Sequence, residues 1–176
     1  MTYFLSDAHL GSRAIDNPQA HQQTLIAMLQ HMAKDATAIY LLGDIFDFWC
    51  EYFWRDSSKE QYRPFLDTLK SLTTKGIDIH FFIGNHDMWS RDYLERECGV
   101  KILYKPQRMT LAGKELFIAH GDNMNIKDKP MLRLMNTCFR SKALRKIFSW
   151  LVHPDLAMRF GKWWSNKSRQ SHPKPS

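Results

Sequence analysis

Four short clusters of aspartate, histidine and asparagine lie within the first 122 residues, and each directly follows an apolar run. The clusters are Asp7-x-His9, Gly43-Asp44-x-x-Asp47, Gly84-Asn85-His86-Asp87 and His120-Gly121-Asp122. Carboxylate and amide oxygens mixed with imidazole nitrogens favour Mn²⁺, Fe²⁺ or Zn²⁺ over the softer metals that thiolates select. One cluster alone is weak evidence, since Asp47 could cap a helix and Asp122 could belong to a turn. Together, the four clusters predict one shared metal site.

The clusters can meet only if the apolar runs before them are neighbouring strands. We predict strands at 2–6, 38–42, 77–83 and 100–104, followed by a hairpin that turns at Ala112-Gly113. Helices are predicted from Pro18, from about Tyr62 to Gly76, and around 90–98. The apolar positions of the first two are Leu25, Met28, Leu29 and Met32, then Tyr62, Phe65, Leu66 and Leu69. Strands alternating with helices predict an α/β fold whose largely parallel sheet presents the clusters at one edge.

The composition is that of an ordinary globular domain, with 44% hydrophobic and 24% charged residues in a chain of 176. No apolar run approaches the ~20 residues of a transmembrane helix. Asp7 and His9 interrupt the N-terminal apolar stretch, which argues against a signal peptide. Because Cys50, Cys98 and Cys138 are far apart and form no C-x-x-C pair, we expect free thiols in a reducing cytoplasm.

The net charge of +7 is concentrated at one end of the chain. Residues 1–122 carry 13 Lys and Arg against 16 Asp and Glu, whereas residues 123–176 carry 12 against 2. From Pro130 onward, apolar residues recur at helical spacing and the opposite faces are basic. Such helices suit a membrane interface or an amphipathic ligand, and core packing beneath a solvated charged face is an equal alternative. We expect a core at 1–122, a basic helical cap at 123–168 and a polar tail or linker at 169–176.

As a set, the four clusters resemble the calcineurin-like metallophosphoesterases, whose fold is an αββα sandwich. The resemblance covers residues 3–122 and implies two divalent metal ions, with Mn²⁺ the first choice and Fe²⁺ or Zn²⁺ the alternatives. It implies that Asp7, His9 and Asp44 bind one ion. Asp44, Asn85 and His120 would bind the other, so that Asp44 bridges the pair.

The same resemblance implies roles for the remaining cluster residues. His86 would contact the scissile phosphate or protonate the leaving group, and Asp87 would orient its ring. Asp47 and Asp122 would support the metal ligands from behind. Two cations about 3.5–4 Å apart hold the attacking and leaving oxygens and activate water, so we expect in-line attack on phosphorus without a phospho-enzyme.

Three longer stretches, YFLSDAHLGS, YLLGDIFDFWCEY and AHGDNMNIKDK, resemble the UDP-2,3-diacylglucosamine hydrolases of Gram-negative bacteria. This resemblance implies cleavage of the substrate's pyrophosphate bond to UMP and 2,3-diacylglucosamine 1-phosphate in lipid A biosynthesis. It implies a peripheral protein on the cytoplasmic face of the inner membrane, whose basic cap holds acyl chains and faces anionic lipid. Nucleic acid is not an expected partner. The candidate substrate contacts are Asp128, Ser165, Asn166, Lys167 and Ser168.

Some residues depart from that pattern or allow two interpretations. Trp49, Tyr52 and Trp54 could line an acyl pocket or could pack at the sheet edge. His86 stands where some hydrolases of this kind carry Arg, and the chain contains no Gly-His-x-His motif, which that family uses to supply a further histidine to each metal. We therefore expect a chain that stops before the final strands of the fold, which leaves its activity open.

Two other functions fit the same residues. A general phosphodiesterase or nuclease would use the basic segment to follow a nucleic-acid backbone, and its binding would weaken steeply with salt. An inactive chain acting as a membrane-binding module would bind vesicles without hydrolysis. The Met, Phe, Leu and Trp faces of the basic helices favour lipid, although base stacking also uses Trp.

Overall fold

The computed structural model describes residues 1–51, 57–87, 89–121 and Ser141. Within them, strands alternate with helices and end in a hairpin, as predicted. In chain order the elements are β1 (Thr2–Leu5), α1 (Pro18–Met32), β2 (Ala38–Leu41), a 3₁₀ helix (Ser57–Tyr62), α2 (Arg63–Thr74), β3 (Asp78–Phe82), α3 (Tyr93–Cys98), β4 (Lys101–Leu103), β5 (Gln107–Leu111) and β6 (Lys114–Ile118). The predicted elements are confirmed, with ends that shift by one to a few residues.

β1, β2, β3 and β4 form a fully parallel sheet in that spatial order. Across it, Phe4 pairs with Tyr40, and Tyr40 pairs with His80. Crossovers between parallel strands are almost always right-handed, so a sheet whose strands follow chain order carries its connecting helices on one face. The carboxyl ends of β1, β2 and β3 therefore open side by side at one edge.

The helices cover one face of the sheet and form the main core. Alternate residues of β2 and β3 point into this core, because successive side chains of a strand face opposite ways. The buried residues shared by sheet and helices include Ile39, Leu41, Ile79, Phe81, Leu29, Phe65, Leu69 and Leu94. α1 begins at Pro18, since proline fits the first helical turn and Asn17 Oδ1 accepts a hydrogen bond from the Ala20 N–H at 2.9 Å.

The opposite face of the sheet packs against the β5–β6 hairpin. Tyr40, Phe82 and Ile118 form this second buried cluster, and Leu103 and Met109 pack against it. The described residues thus form three layers, namely helices, parallel sheet and hairpin. This arrangement agrees with the predicted α/β fold and places His120, just after β6, beside the ends of the parallel strands.

Two interpretations change once packing is known. Met28 was predicted on the apolar face of α1 but is 41% exposed, because the buried stripe of that helix runs through Leu25 and Leu29. Trp49 is 1% exposed and stacks on Phe46 with ring centroids 4.3 Å apart. The packing interpretation is therefore right for Trp49, and the acyl-pocket interpretation is wrong for it.

Several predictions lie outside the described residues. These are the roles of Tyr52 and Trp54, the cap at 123–168 apart from Ser141, and the tail at 169–176. The boundaries of these segments stay predictions. In the described part of the chain, no helix combines the length and the apolar character needed to cross a bilayer.

Candidate metal centre

The loops that follow β1 and β2 run side by side and carry the first two clusters. The Asp7 N–H donates to the Gly43 carbonyl at 3.1 Å, and the His9 N–H donates to the Asp44 carbonyl at 2.9 Å. Leu10 and Ile45 continue the pattern at 2.8 Å. This backbone pairing extends the parallel sheet beyond its last regular residues and brings Asp7 and His9 alongside Asp44.

Three of these polar residues adopt a backbone conformation that most L-residues avoid. Asp7, His9 and Asp44 have φ values of 55°, 46° and 53°. Each such residue costs on the order of 1–3 kcal/mol and persists only where surrounding contacts impose it, a situation concentrated at functional sites. The strain therefore falls on residues that the sequence singled out for their chemistry.

Two glycines allow the loops to approach each other. Gly43 has a φ of 91°, and a Cβ there would meet His120 Nδ1 at 2.7 Å. A Cβ on Gly84 would meet the Asp44 backbone nitrogen at 2.6 Å and would overlap the Asp44 carboxylate. Any larger residue at 84 would displace that carboxylate. Gly84 thus makes room for the centre.

Asp44 lies in the middle of the converging loops and is buried. Its Oδ2 is 3.4 Å from His120 Nε2 and 3.9 Å from His86 Nε2, and its Oδ1 accepts the His86 N–H at 2.9 Å. Burial pushes the pKa of Asp44 upward, but hydrogen bonding to His120 and the nearby His86 outweigh it and leave the pKa below its ordinary value. Asp44 is therefore held as a carboxylate that faces histidine on two sides.

His86 and His120 present the same ring nitrogen to Asp44. His120 Nδ1 lies 2.8 Å from the Leu42 carbonyl, and His86 Nδ1 lies 2.5 Å from the Asp47 carbonyl. Because a carbonyl oxygen only accepts hydrogen bonds, each Nδ1 must carry the proton. The Nε2 of each ring then faces Asp44 and is the nitrogen left to bind a metal ion, which is the arrangement found behind histidines that bind metals.

Within the described residues, potential ligand atoms form two groups, and Asp44 belongs to both. One contains His9, Asp44 and His86, and the other contains Asp7, Asp44 and His120, with all ligand atoms in a group within 4.8 Å of one another. Asp44, the residue expected to bridge the two ions, is the member that the groups share, and its bridging role stays a prediction. The grouping places Asp7 with His120, although Asp7 Oδ1 is also only 3.9 Å from His9 Nε2.

Asn85 and His9 complete the set of candidate ligands. Asn85 Oδ1 lies 3.3 Å from His120 Nε2, so both can serve one ion. His9 Nδ1 is buried and has no hydrogen-bond partner among the described residues. Burial and the nearby His86 lower the pKa of His9, which keeps the ring neutral, although the surrounding carboxylates act in the opposite direction. These groups fit divalent metal ions, because oxygen and imidazole donors converge around a buried carboxylate.

Two further aspartates of the clusters, Asp47 and Asp87, lie among the described residues and contact the loops from behind. Asp47 Oδ1 lies 3.7 Å from His9 Nδ1. Asp87 is fully buried, and its carboxylate accepts the N–H groups of Ile45 at 3.2 Å and Phe46 at 3.1 Å. The structure thus differs from the expected role of Asp87, since the contact on the His86 ring comes from the Asp47 carbonyl. Burial and the charge of Asp44 raise the pKa of Asp87 to about 8.

His21, which belongs to none of the predicted clusters, supports the centre from α1. Its Nε2 lies 2.7 Å from the carbonyl of Ala8, the residue between the strained Asp7 and His9. A histidine on a helix gives no sequence signal of this contact, since it depends on how α1 packs beside the loop. The predicted residues Asp122, Asp128, Ser165, Asn166, Lys167 and Ser168 lie outside the described residues.

Comparison with known proteins supports the same chemistry. The sequence pattern of the family described as Calcineurin-like phosphoesterase matches residues 2–175. A UDP-2,3-diacylglucosamine hydrolase of Porphyromonas gingivalis is 38% identical over 169 residues, which cover 96% of this chain and 63% of that protein. A protein of the same name from Actinobacillus succinogenes is 33% identical over 154 residues, or 85% of this chain and 59% of the relative.

This chain spans about three-fifths of the length of these two relatives. A further UDP-2,3-diacylglucosamine hydrolase, from Yersinia pseudotuberculosis, is 29% identical, and the matched residues cover 97% of this chain and 68% of that protein. A solved structure of a protein of unknown function from Aquifex aeolicus has a TM-score of 0.46 and 21% identity, and covers 84% of this chain and 72% of that one.

Proposed function

Because this chain belongs to the calcineurin-like phosphoesterase family, we propose that its centre hydrolyses a phosphoric anhydride or ester with the aid of two divalent metal ions. The observation that carries the proposal is the position of Asp44, which belongs to both groups of potential ligand atoms. A carboxylate has two oxygens and can therefore serve two ions at once. Mn²⁺ is the metal we propose, since the oxygen and imidazole donors suit it well.

The chain's own residues would hold and orient the reactants. Asp7, His9 and Asp44 would hold one ion, and Asp44, Asn85 and His120 the other. Bound ions would supply Lewis-acid activation of the phosphate and of a water molecule. Asn85 contributes a neutral ligand, so the centre places less negative charge opposite an incoming phosphate.

His86 is suited to act on the phosphate or the leaving group. Its Nδ1–H is donated to the Asp47 carbonyl, which fixes the ring and leaves Nε2 directed at the centre. When Nε2 carries a proton, it can donate to a phosphate oxygen or to the oxygen that leaves. The strained loop and the buried Asp87 keep this geometry in place before the substrate arrives.

The substrate we propose is UDP-2,3-diacylglucosamine, cleaved at its pyrophosphate to UMP and 2,3-diacylglucosamine 1-phosphate. Support comes from the relatives that bear the name of this hydrolase. The basic composition of residues 123–176 supports binding at an anionic membrane surface, and we propose the cytoplasmic face of the inner membrane as the location.

The direct test is UMP release from UDP-2,3-diacylglucosamine in detergent with Mn²⁺, with and without EDTA. We expect UMP that disappears on chelation. Asp44→Asn should lose most bound metal and lower the rate by roughly 10²–10³-fold, the loss seen when one preorganised electrostatic group is removed from an active site. Bound Mn²⁺ is counted by electron paramagnetic resonance, independently of turnover.

His80→Gln is the matched control, because His80 stacks on Tyr40 on the hairpin face of the sheet, away from the centre. It should keep both metal and activity. Near-normal turnover in Asp44→Asn would overturn the bridging role. Chelator-sensitive hydrolysis of a simple phosphodiester without any UMP release would instead identify a general phosphodiesterase, and the absence of both would overturn the enzymatic proposal for this chain.

A further inference from the structure

The segment that carries Asn85 and His86 depends on contacts with the loop after β2. We call residues 83–87 and 89–92 the post-β3 segment and residues 42–51 the post-β2 loop. The Trp49 N–H donates to the His86 carbonyl at 3.1 Å, and the Glu51 N–H donates to the Trp89 carbonyl at 3.3 Å. Cys50 and Trp89 also form an isolated parallel bridge. The position of His86 is therefore set by how firmly these two stretches are joined.

Glu51 joins them through its side chain as well. The residue is buried, and its Oε1 accepts a hydrogen bond from Trp49 Nε1 at 3.0 Å. Its Oε2 accepts the backbone N–H groups of Arg91 at 2.7 Å and Tyr93 at 3.2 Å. One carboxylate therefore contacts the post-β2 loop at Trp49, the post-β3 segment at Arg91 and the first residue of α3, Tyr93.

The surroundings of Glu51 compensate a buried charge. Burial raises its pKa, while the bonds from Trp49, Tyr93 and Arg91 and the charge of Lys59 act against that rise. Lys59 Nζ lies 5.6 Å from the Trp49 ring centroid and 4.9 Å from that of Tyr93, so the cation packs on the same two aromatic residues. Neither Glu51 nor Lys59 belongs to the metal ligands described above.

Among the described residues, the three partners of the Glu51 carboxylate are all hydrogen-bond donors. An ionised carboxylate only accepts, whereas the amide of glutamine offers one accepting oxygen and one donating NH₂ group. In Glu51→Gln, at least one N–H would face another donor in a buried place. A buried donor without a partner is costly, so the substitution should loosen this junction although it changes almost no volume.

We propose that Glu51 is a positioning residue of the hydrolytic site, whose carboxylate fixes the post-β3 segment on the post-β2 loop and so sets His86 opposite Asp44. The path runs from Glu51 to the Trp49 indole and then from the Trp49 N–H to the His86 carbonyl. This inference rests on the proposed function for its effect on turnover. Its structural part, the attachment of the post-β3 segment to the post-β2 loop by Glu51, can be tested without turnover.

The test compares Glu51→Gln with the unchanged chain by kinetics, Mn²⁺ counting and hydrogen exchange. We expect kcat to fall roughly 10- to 100-fold, because small displacements of positioned groups have effects of this size, with KM nearly unchanged. Bound Mn²⁺ should stay the same. Peptides that cover 84–93 should exchange faster, while peptides of α1 and β2 should exchange at unchanged rates.

A double-mutant cycle separates positioning of His86 from a general loss of stability. If Glu51 acts through His86, then Glu51→Gln should lower kcat much less in a chain that already carries His86→Ala. Full additivity of the two losses would overturn the proposed path. If no substrate is turned over, the proposed function fails. Hydrogen exchange alone then decides whether Glu51 holds the post-β3 segment on the post-β2 loop.

Two control variants complete the design. Glu95→Gln alters a carboxylate that accepts the Ile102 N–H at 3.1 Å at the far side of α3, and should change neither kcat nor exchange at 84–93. Leu72→Ala weakens the core in α2 and should raise exchange broadly. Exchange in Glu51→Gln that matches the unchanged chain, or that rises everywhere as in Leu72→Ala, would overturn the proposal.

A second variant keeps the test decisive if Glu51→Gln does not fold. Trp49→Phe keeps an aromatic ring but removes the indole N–H that Glu51 Oε1 accepts. It should raise exchange at 84–93 more than in α1. Equal exchange in both regions would overturn the proposal by itself.

Discussion

Asp44 combines three features that are each unfavourable for stability. It adopts a strained backbone conformation, it is buried, and its carboxylate faces His86 and His120. Backbone strain, desolvation and charge would each disfavour such a residue in a site without function. The neighbouring loops impose the arrangement. A cation bound there would compensate the negative charge of the carboxylate and accept the lone pairs of the ligand atoms.

His86 is the residue whose replacement should separate chemistry from metal binding. A positioned general acid or base contributes roughly 10²–10⁴-fold to a rate, so His86→Ala should lower kcat by a factor in this range. Bound Mn²⁺, counted by electron paramagnetic resonance, should remain close to that of the unchanged chain. The opposite result, loss of a metal ion together with the ring, would identify His86 as a ligand, in line with its grouping beside His9 and Asp44.

At the scale of the element, the β5–β6 hairpin contains a turn with an unfavourable residue. Leu111 pairs with Lys114, so only Ala112 and Gly113 connect the strands, with φ values of 49° and 76°. Positive φ at both positions defines a type I′ turn, which strongly prefers Asn-Gly or Gly-Gly. Alanine pays a steric penalty there because its Cβ approaches the following carbonyl.

Ala112→Asn should therefore stabilise the protein by about 0.5–1 kcal/mol. Urea denaturation followed by circular dichroism measures the change as a higher midpoint at an unchanged slope. Gly113→Ala, the adjacent control, should move the midpoint in the opposite direction. A lower midpoint for Ala112→Asn would show that the hairpin does not form this turn in solution.

Helix α3 ends at a thiol that its environment keeps protonated. Cys98 is buried, and burial together with the charge of Glu97 raises its pKa to about 11 from an ordinary value of 9.0. Since the raised pKa favours the neutral thiol in the folded state, this contribution to stability is present below pH 9. It is lost as the pH rises from 9 towards 11.

Alkylation by iodoacetamide, mapped by mass spectrometry of peptides, tests this environment for each cysteine separately. Because the thiolate is the reactive form, native Cys98 should react slowly until the pH approaches about 11. The chain unfolded in guanidinium is the reference and should react with a midpoint near pH 9. Identical profiles for the folded and unfolded chain would contradict the burial of this thiol.

At the scale of the whole molecule, charge is divided unevenly along the chain. Residues 1–122 carry 13 Lys and Arg against 16 Asp and Glu, which gives a net charge of −3. Residues 123–176 carry 12 Lys and Arg against 2 Asp and Glu, which gives a net charge of +10. The first part carries the metal-binding clusters, and the second carries the positive charge. This division is consistent with the proposed function, in which the chain meets an anionic, lipid-linked substrate at a membrane surface.

Vesicles of anionic phosphatidylglycerol should therefore sediment with the protein, whereas neutral phosphatidylcholine vesicles should not. Raising salt from roughly 0.1 M to 1 M, which shortens the Debye length from about 10 Å to 3 Å, should release most of the bound protein. Replacing Arg140, Lys142 and Arg145 by Gln should weaken binding by about 1 kcal/mol per charge lost near the surface.

The matched control replaces three basic residues of the first part, Lys34, Lys70 and Lys75, by Gln. This variant has the same total charge as the other but should bind anionic vesicles like the unchanged chain. Equal weakening by both variants would mean that only net charge matters. Tighter, salt-sensitive binding to DNA than to anionic vesicles would favour a nucleic-acid partner instead.

The sequence by itself determined the strands, the helices and the edge at which the clusters meet. Residues close in the chain encode these features, since apolar periodicity distinguishes strands from helices and parallel strands deliver their carboxyl ends to one side. The convergence of Asp7, Asp44 and His120 at one edge of the sheet is therefore predictable from the sequence. The turn at Ala112-Gly113 was equally local and equally predictable.

Only the tertiary structure decided how the side chains of those clusters are used. The His86 ring is held by the Asp47 carbonyl, Asp87 accepts two N–H groups from the post-β2 loop, and Glu51 clasps a segment about 40 residues away. Each contact joins residues far apart in the chain, so it depends on how closely two loops approach. That distance is set by packing and by the absence of a side chain at Gly43 and Gly84, and no local pattern encodes it.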